Sequence, residues 1–155
     1  MLTRREALVT AAAGLVVAGC GGRPARKLAG DPSDIRILAA ALEEERRQVA
    51  LFNAGLQLTD APIVRTIYEH QRAHAAAIEE AIRELGGTPA AARPIAAYAL
   101  KKGRDAWKQD AINAEERWSA GYAAVILKLA NPRLRSTFGA LATAEAEHAV
   151  ALDVT

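Results

Sequence analysis

At 155 residues the chain has room for one domain with a leader and a tether in front of it, and no second domain is expected. Half of the residues are hydrophobic (51%) and few are aromatic (5%), which favours an all-helical domain over a β-sheet. A formal net charge of only +2 excludes the strongly basic surface of a nucleic-acid-binding protein, and the single cysteine excludes an intramolecular disulfide.

The N-terminal segment has the organisation of an export signal. Arg4 and Arg5 precede an apolar run over residues 7–18, which is shorter than the roughly 20 residues that a membrane span needs. The run ends in Val17-Ala18-Gly19-Cys20, which resembles a bacterial lipobox. The resemblance implies that residues 1–19 are a lipoprotein signal peptide and that acyl chains on Cys20 anchor the protein to the extracytoplasmic face of the bacterial membrane. The alternative for Cys20 is a buried core cysteine.

The residues around the arginine pair also bear on the export route. Thr3-Arg4-Arg5-Glu6-Ala7-Leu8 resembles a twin-arginine (Tat) signal, which carries folded proteins across the membrane. That resemblance implies that folding and any metal loading precede export. An ordinary secretory (Sec) route with two incidental arginines is the alternative.

A flexible tether is predicted over residues 20–33, which begin at the lipidated Cys20 and contain turn formers without an apolar period. Ser33 or Asp34 is predicted to cap the first helix, so the folded domain is expected to cover residues 34–155. Apolar residues recur at helical spacing from Leu38 onwards, and the first helix is predicted to end near Thr59.

The second predicted helix begins at Pro62 and ends at Gly86-Gly87. Between that glycine pair and the third helix lies a long connection with two prolines and an alanine-rich piece. A short helix is predicted inside this connection, around residues 95–100. The third helix is predicted over residues 104–130, and Asn131-Pro132 open the fourth.

These elements predict an all-α, antiparallel four-helix bundle made of two hairpins. Helices of about 25 residues are roughly 37 Å long, and the connection can span that distance if it is largely extended. We therefore predict that one long crossover joins the two hairpins. A simple up-down-up-down bundle is the competing topology.

Each apolar stripe is interrupted by polar side chains at positions that should face inward. These positions lie at similar distances from the hairpin turns, so one polar layer is predicted across the centre of the bundle. Three buried carboxylates in one layer repel one another unless they are protonated, hydrated or compensated by cations, and a metal ion compensates them most directly. The residues of this central layer are Glu45, Gln71, His74, Glu115, Glu145 and His148.

The central layer resembles the metal centre of the ferritin-like superfamily, in particular rubrerythrin-type bundles and secreted bacterial ferritin-like domains. In that family one helix of each pair supplies a Glu and the other a Glu-x-x-His. Glu145-Ala-Glu-His148 matches the motif, and Glu45 and Glu115, each followed by an aromatic residue seven positions later, are similar to the paired glutamates. The resemblance covers residues 34–153. It implies a metal centre with oxidase, peroxide-handling or metal-handling activity.

The donor set of this layer, rich in carboxylates and with two imidazoles, suits iron or manganese better than zinc. Gln71 departs from the family pattern because it stands where the family has its second motif glutamate. A neutral amide is a poor bridging ligand, so one metal, or a weakened pair, is favoured over a full di-iron centre. His70, one turn before His74, is interpreted as a surface residue rather than a ligand.

A metal-free bundle stays open as the alternative. The central layer would then be a hydrogen-bonded network, and the protein a structural or interaction module of the cell envelope that binds an envelope protein or a second copy of itself. Trp107 and Trp118 are interpreted as packing residues. Neither a Ser-His-Asp set nor a glycine-rich phosphate loop is visible, so acyl or phosphoryl transfer has no support.

Overall fold

A computed structural model describes residues 30–92 and 103–154, and all regular structure in these ranges is helical. The four helices are α1 (Pro32–Gly55), α2 (Pro62–Glu84), α3 (Gly103–Ile126) and α4 (Pro132–Asp153). The predicted signal peptide, Cys20, most of the predicted tether and the predicted short helix at 95–100 lie outside the described residues. Among the helices in the described ranges, none is long and apolar enough to cross a membrane.

The N-cap of α1 is Asp31, whose carboxylate accepts a hydrogen bond from the Ser33 N–H at 2.8 Å. The prediction of Ser33 or Asp34 as the cap is therefore wrong. The helix begins earlier because Pro32 suits the first helical position, where no N–H is needed, and Asp31 then binds the next free N–H.

Asp34 joins the first turn of α1 to the turn between α3 and α4. Its carboxylate is buried, and its two oxygens accept hydrogen bonds from the backbone N–H groups of Ala130 (2.8 Å) and Asn131 (3.0 Å). Hydrogen bonds to an ionised carboxylate are stronger than those between neutral groups. Asp34 therefore fixes the first hairpin to the second at this end of the bundle.

Two helices end earlier than predicted, α1 at Gly55 instead of near Thr59 and α3 at Ile126 instead of Ala130. After Gly55 the Leu58 N–H donates to the Gly55 carbonyl at 2.9 Å, so the backbone changes from helical bonding to a tight turn. The apolar pattern continues through both segments. It therefore could not show where the backbone bonding changes.

The predicted proline starts and glycine stop are confirmed. α2 begins at Pro62 and α4 at Pro132. The Asn131 side chain caps α4 by accepting a hydrogen bond from the Arg133 N–H. Two residues after the end of α2, Gly86 takes a left-handed conformation (φ +82°), which favours a residue without a Cβ atom.

The helix directions follow from contacts at the two ends of the bundle. α1 packs along α2 and α3 along α4, with further contacts between α1 and α3 and between α2 and α4. The Trp107 Nε1–H near the start of α3 donates to the Leu51 carbonyl near the end of α1 (2.9 Å), while Asp34 at the start of α1 meets the residues after α3. Thus α1 and α3 are antiparallel, and α2 and α3 are parallel. The chain leaves α2 at one end and enters α3 at the other, which confirms the crossover topology.

Two apolar clusters fill the bundle, one towards each end, and the central layer lies between them. In one cluster the Trp107 ring stands edge-on to Phe52, with 5.9 Å between ring centroids, and packs over Gly55. A Cβ atom at Gly55 would lie 2.0 Å from that ring, so the close approach requires glycine. Trp118 is partly buried against both clusters, and the packing role predicted for the two tryptophans is confirmed.

Candidate metal centre

All six residues of the central layer lie inside the bundle. The layer takes Glu45 from α1, Gln71 and His74 from α2, Glu115 from α3, and Glu145 and His148 from α4. The three glutamates and the glutamine are 0% exposed, His148 is 6% exposed and His74 is half-buried. Because residues three or four apart share one face of a helix, the spacings in α2 and α4 turn both members of each pair towards the centre.

Two groups of three residues in this layer could hold a metal ion. The first triad is Glu45, His74 and Glu145, and the second triad is Glu115, Glu145 and His148. In each triad the candidate ligand atoms lie within 4.8 Å of one another. Glu145 belongs to both triads, so the two candidate ion positions would share one carboxylate.

In the first triad the imidazole lies between the two carboxylates. His74 Nδ1 is 3.1 Å from Glu145 Oε1 and 3.7 Å from Glu45 Oε2. The latter distance is too long for a good hydrogen bond. Among the described residues Glu45 Oε2 has no hydrogen-bond donor, although it is fully buried.

The second triad is closed by the side-chain amide of Gln71. Gln71 Nε2 donates to Glu115 Oε1 at 3.0 Å and to Glu145 Oε2 at 2.8 Å. His148 Nδ1 lies 3.3 Å from Glu115 Oε2 and 3.6 Å from Glu145 Oε2. The amide N–H groups therefore take up carboxylate oxygens that a second cation would need.

Two buried side-chain oxygens of the central layer lack a hydrogen-bond donor, and their surroundings show whether a cation suits the layer. Within the described part of the chain, Glu45 Oε2 and Gln71 Oε1 are buried and have no hydrogen-bond partner. Buried polar atoms are nearly always paired, because an unpaired one loses its hydration without compensation. A cation held by oxygen and nitrogen donors supplies such a partner, so the residues fit a metal ion.

Burial and proximity separate the pKa values of the three glutamates. Burial raises the pKa of Glu45 to about 8, and the charge of Glu145 adds to this effect, while His74 and Tyr122 oppose it. Burial, together with the hydrogen bond shared with Glu145, also raises the pKa of Glu115. Burial acts to raise the pKa of Glu145 too, but the neighbouring imidazoles of His148 and His74 outweigh it and hold that pKa below its ordinary value. Without a metal, the negative charge is concentrated on the glutamate that both triads share.

Tyr122 contacts the first triad, a contact that the sequence reasoning missed. Its hydroxyl donates a short hydrogen bond to Glu45 Oε1, and its ring stands edge-on to Phe138 with 5.3 Å between centroids. The sequence placed Tyr122 on the inward stripe of α3, two turns after Glu115. It gave no signal for the partner, because that partner lies on α1.

His70 is half-buried against His148, so it is less exposed than predicted, and neither triad includes it as a candidate ligand. Its Nδ1 lies 3.0 Å from His148 Nε2, and the two ring centroids are 5.2 Å apart. Burial and the neighbouring imidazoles lower the pKa of His70. His70 lies one turn before His74 on α2, so both side chains lie on the same face of α2, the face that packs against α4.

No family model, no curated protein and no solved structure matches this chain. The class of the site is therefore defined by its own geometry: buried Glu and His groups, on four different helices, that could hold a metal ion.

Proposed function

We propose that this protein is an exported, ferritin-like metal-binding lipoprotein whose resident ion is held by the first triad. The observation that carries the proposal is a fully buried carboxylate oxygen, Glu45 Oε2, that lacks a donor and lies beside His74 and the shared Glu145. An ion at this position is bound by two carboxylates and one imidazole. It compensates the negative charge that burial makes costly.

One ion, rather than two, is favoured by the contacts of Gln71. Its amide donates to Glu115 and Glu145 on the side of the second triad, where a second ion would have to displace both hydrogen bonds. The neutral Gln71 amide thus pairs with the two carboxylates that a cation in the second triad would bind.

Iron or manganese is the ion that we propose. Carboxylate-rich sets with imidazole suit these metals, and a redox-active ion supplies electron-transfer chemistry when bound. Oxidase or metal-handling activity is the corresponding functional proposal. Divalent zinc binds most such sites more tightly than divalent iron or manganese does, so affinity measured in vitro does not identify the native metal. The native metal is identified by the metal content of protein isolated from its own membrane.

Membrane anchoring through Cys20 is proposed from the lipobox-like residues alone. Replacing Cys20 by serine should release the protein from the membrane fraction, whereas the wild type should require detergent. Replacing Arg4 and Arg5 by lysine should block export if the Tat route is used and leave it intact if the Sec route is used.

Binding of iron, manganese and zinc to the metal-free protein without oxygen tests the central proposal. We expect about one equivalent per chain, and Glu145→Ala should weaken binding by at least ~100-fold, the upper end of what loss of an outer hydrogen-bond partner costs. Glu147→Ala is the matched control, because Glu147 is exposed on the same turn of α4. Equal binding by the wild type and Glu145→Ala would refute the site.

The alternative function is a metal-free module that binds an envelope protein or a second copy of the chain. The observation in its favour is that Gln71 already pairs Glu115 with Glu145. Gln71→Glu separates the two proposals. If the bundle holds one ion, the added carboxylate should raise the stoichiometry from one to two; if it is metal-free by design, the native protein contains no metal and the added charge only destabilises it.

A further inference from the structure

His148 has two ring nitrogens, and each faces a different partner. Nδ1 faces the carboxylate oxygens of Glu115 and Glu145, at 3.3 and 3.6 Å, and Nε2 faces His70 Nδ1 at 3.0 Å. The ring is 6% exposed, so solvent contributes little to its hydrogen bonding. The state of one nitrogen therefore determines the state of the other.

The contact between the two imidazoles requires one donor and one acceptor. His70 Nδ1 and His148 Nε2 are 3.0 Å apart, which is a hydrogen-bond distance between two ring nitrogens. A neutral imidazole carries its proton on only one nitrogen. If His148 carries it on Nδ1, it donates to Glu115 Oε2, and Nε2 must accept from His70.

We propose that His70 is a positioning residue that fixes the tautomer of His148 and, through Glu115 and the Gln71 amide, the orientation of the shared Glu145. The His70 Nδ1–H donates to His148 Nε2, and the His148 Nδ1–H in turn donates to Glu115 Oε2. The other oxygen of Glu115 accepts from the Gln71 amide, which also donates to Glu145 Oε2. Glu145 then keeps Oε1 directed at the first triad, 3.1 Å from His74 Nδ1. The inference rests on the proposed metal site for its functional consequence, because a wrongly turned Glu145 removes a ligand.

The geometry of the other histidine supports this order of contacts. His74 lies one turn after His70 on α2, and its ring centroid is 6.0 Å from that of His148 with 19° between the planes. His148 is thus held between two imidazoles of one helix. Only His70 is within hydrogen-bond distance of His148 Nε2 among the described residues.

Nitrogen NMR of the imidazoles in the metal-free full-length protein tests the tautomer directly. We expect His148 to be protonated at Nδ1 and unprotonated at Nε2. In His70→Leu the preference should be lost and metal affinity should fall about 10- to 100-fold, the range measured for outer hydrogen-bond partners of metal ligands. His70→Asn restores a donor near the position of Nδ1, so both the shifts and the affinity should recover to within about threefold of the wild type.

Arg65→Leu is the matched control, because it places the same apolar side chain at an exposed position of α2. A His148 proton on Nε2 in the wild type would overturn the proposal, as would unchanged shifts and affinity in His70→Leu. Failure of the wild type to bind metal would refute the proposed function instead. The nitrogen shifts of the metal-free protein would then decide the role of His70 on their own.

Discussion

Asp34 and Glu45 lie on the same helix about three turns apart, and both carboxylates are buried, with exposed fractions of 1% and 0%. At the end of the bundle where α4 begins, both oxygens of Asp34 accept hydrogen bonds from backbone N–H groups. In the central layer, Glu45 accepts one hydroxyl hydrogen bond, and its second oxygen has no donor among the described residues. Burial alone therefore does not mark a ligand. The informative property is whether the protein's own donors satisfy the carboxylate.

The two carboxylates also differ in what would satisfy them. Backbone N–H groups at the turn before α4 are fixed in place by the fold, so Asp34 needs nothing from outside the chain. Beside the unpaired oxygen of Glu45 lies the imidazole of His74, with Nδ1 at 3.7 Å. On the function proposed above, a bound cation would be the partner of that oxygen. The variants below separate a carboxylate that maintains the fold from one that is kept for a ligand.

Removal of the satisfied carboxylate should have the largest effect on stability. Asp34→Ala leaves two buried N–H groups without their charged acceptor, and each hydrogen bond to a charged group is worth about 1.5–3 kcal/mol, so we expect a loss of about 3 kcal/mol. Urea unfolding should give the same loss with and without metal. A loss that appears only in the metal-bound protein would place Asp34 in the ligand system and end the contrast with Glu45.

The unsatisfied carboxylate should instead make the metal-free protein sensitive to pH. The folded pKa of Glu45 is raised from 4.5 to about 8, so the folded state binds this proton more tightly than the unfolded state does. The resulting stability is complete below about pH 4.5 and is lost as the pH rises through 8. Glu115 shifts in the same direction, whereas Glu145, with a lowered pKa, is ionised in both states across this window. Through Glu45, we expect the free energy of unfolding to fall by about 2 kcal/mol from pH 6 to pH 8, since one pKa unit is worth ~1.4 kcal/mol.

Glu45→Gln is the matched variant for that pH dependence. The amide resembles the protonated carboxyl in shape and keeps an oxygen for the Tyr122 hydroxyl, so the metal-free variant should lose the part of the pH dependence that comes from Glu45 and keep the part that comes from Glu115. Its metal affinity should fall because a neutral amide is a weak ligand. An unchanged slope of stability against pH would show that Glu45 is not the group that titrates.

The smallest effect is expected at Asp31, which separates capping from the interhelical role of Asp34. Asp31→Ala removes the hydrogen bond to the Ser33 N–H, which satisfies one free donor at the start of α1. Thermal unfolding should show a modest decrease, independent of metal. If Asp31→Ala were as damaging as Asp34→Ala, the two aspartates would act as one unit.

Local signals allowed the helix starts and the inward layer to be predicted from sequence. Pro62, Pro132 and Gly86 act through their own backbone preferences, and helical spacing alone turns Glu145 and His148 to one face. These properties belong to single segments. They are visible without knowledge of how the helices pack.

The contacts that were missed all join different helices. The Tyr122–Glu45 and His70–His148 hydrogen bonds, and the bonds of Asp34 beyond α3, connect residues separated by more than 70 positions. Each depends on how far one helix is rotated about its axis against another, which no periodic pattern specifies. The sequence showed that a glutamine, Gln71, stands where a glutamate was expected. It did not show that the Gln71 amide lies between the carboxylates of Glu115 and Glu145.

The two triads are distributed differently between the hairpins. All members of the second triad come from α3 and α4, whereas the first triad takes Glu45 and His74 from α1 and α2 and Glu145 from α4. The second triad is therefore contained in one hairpin, to which the other hairpin adds only the Gln71 amide. A cation in the first triad would instead link α1 and α2 to α4, so the proposed metal would hold the two hairpins together as well as occupy the site.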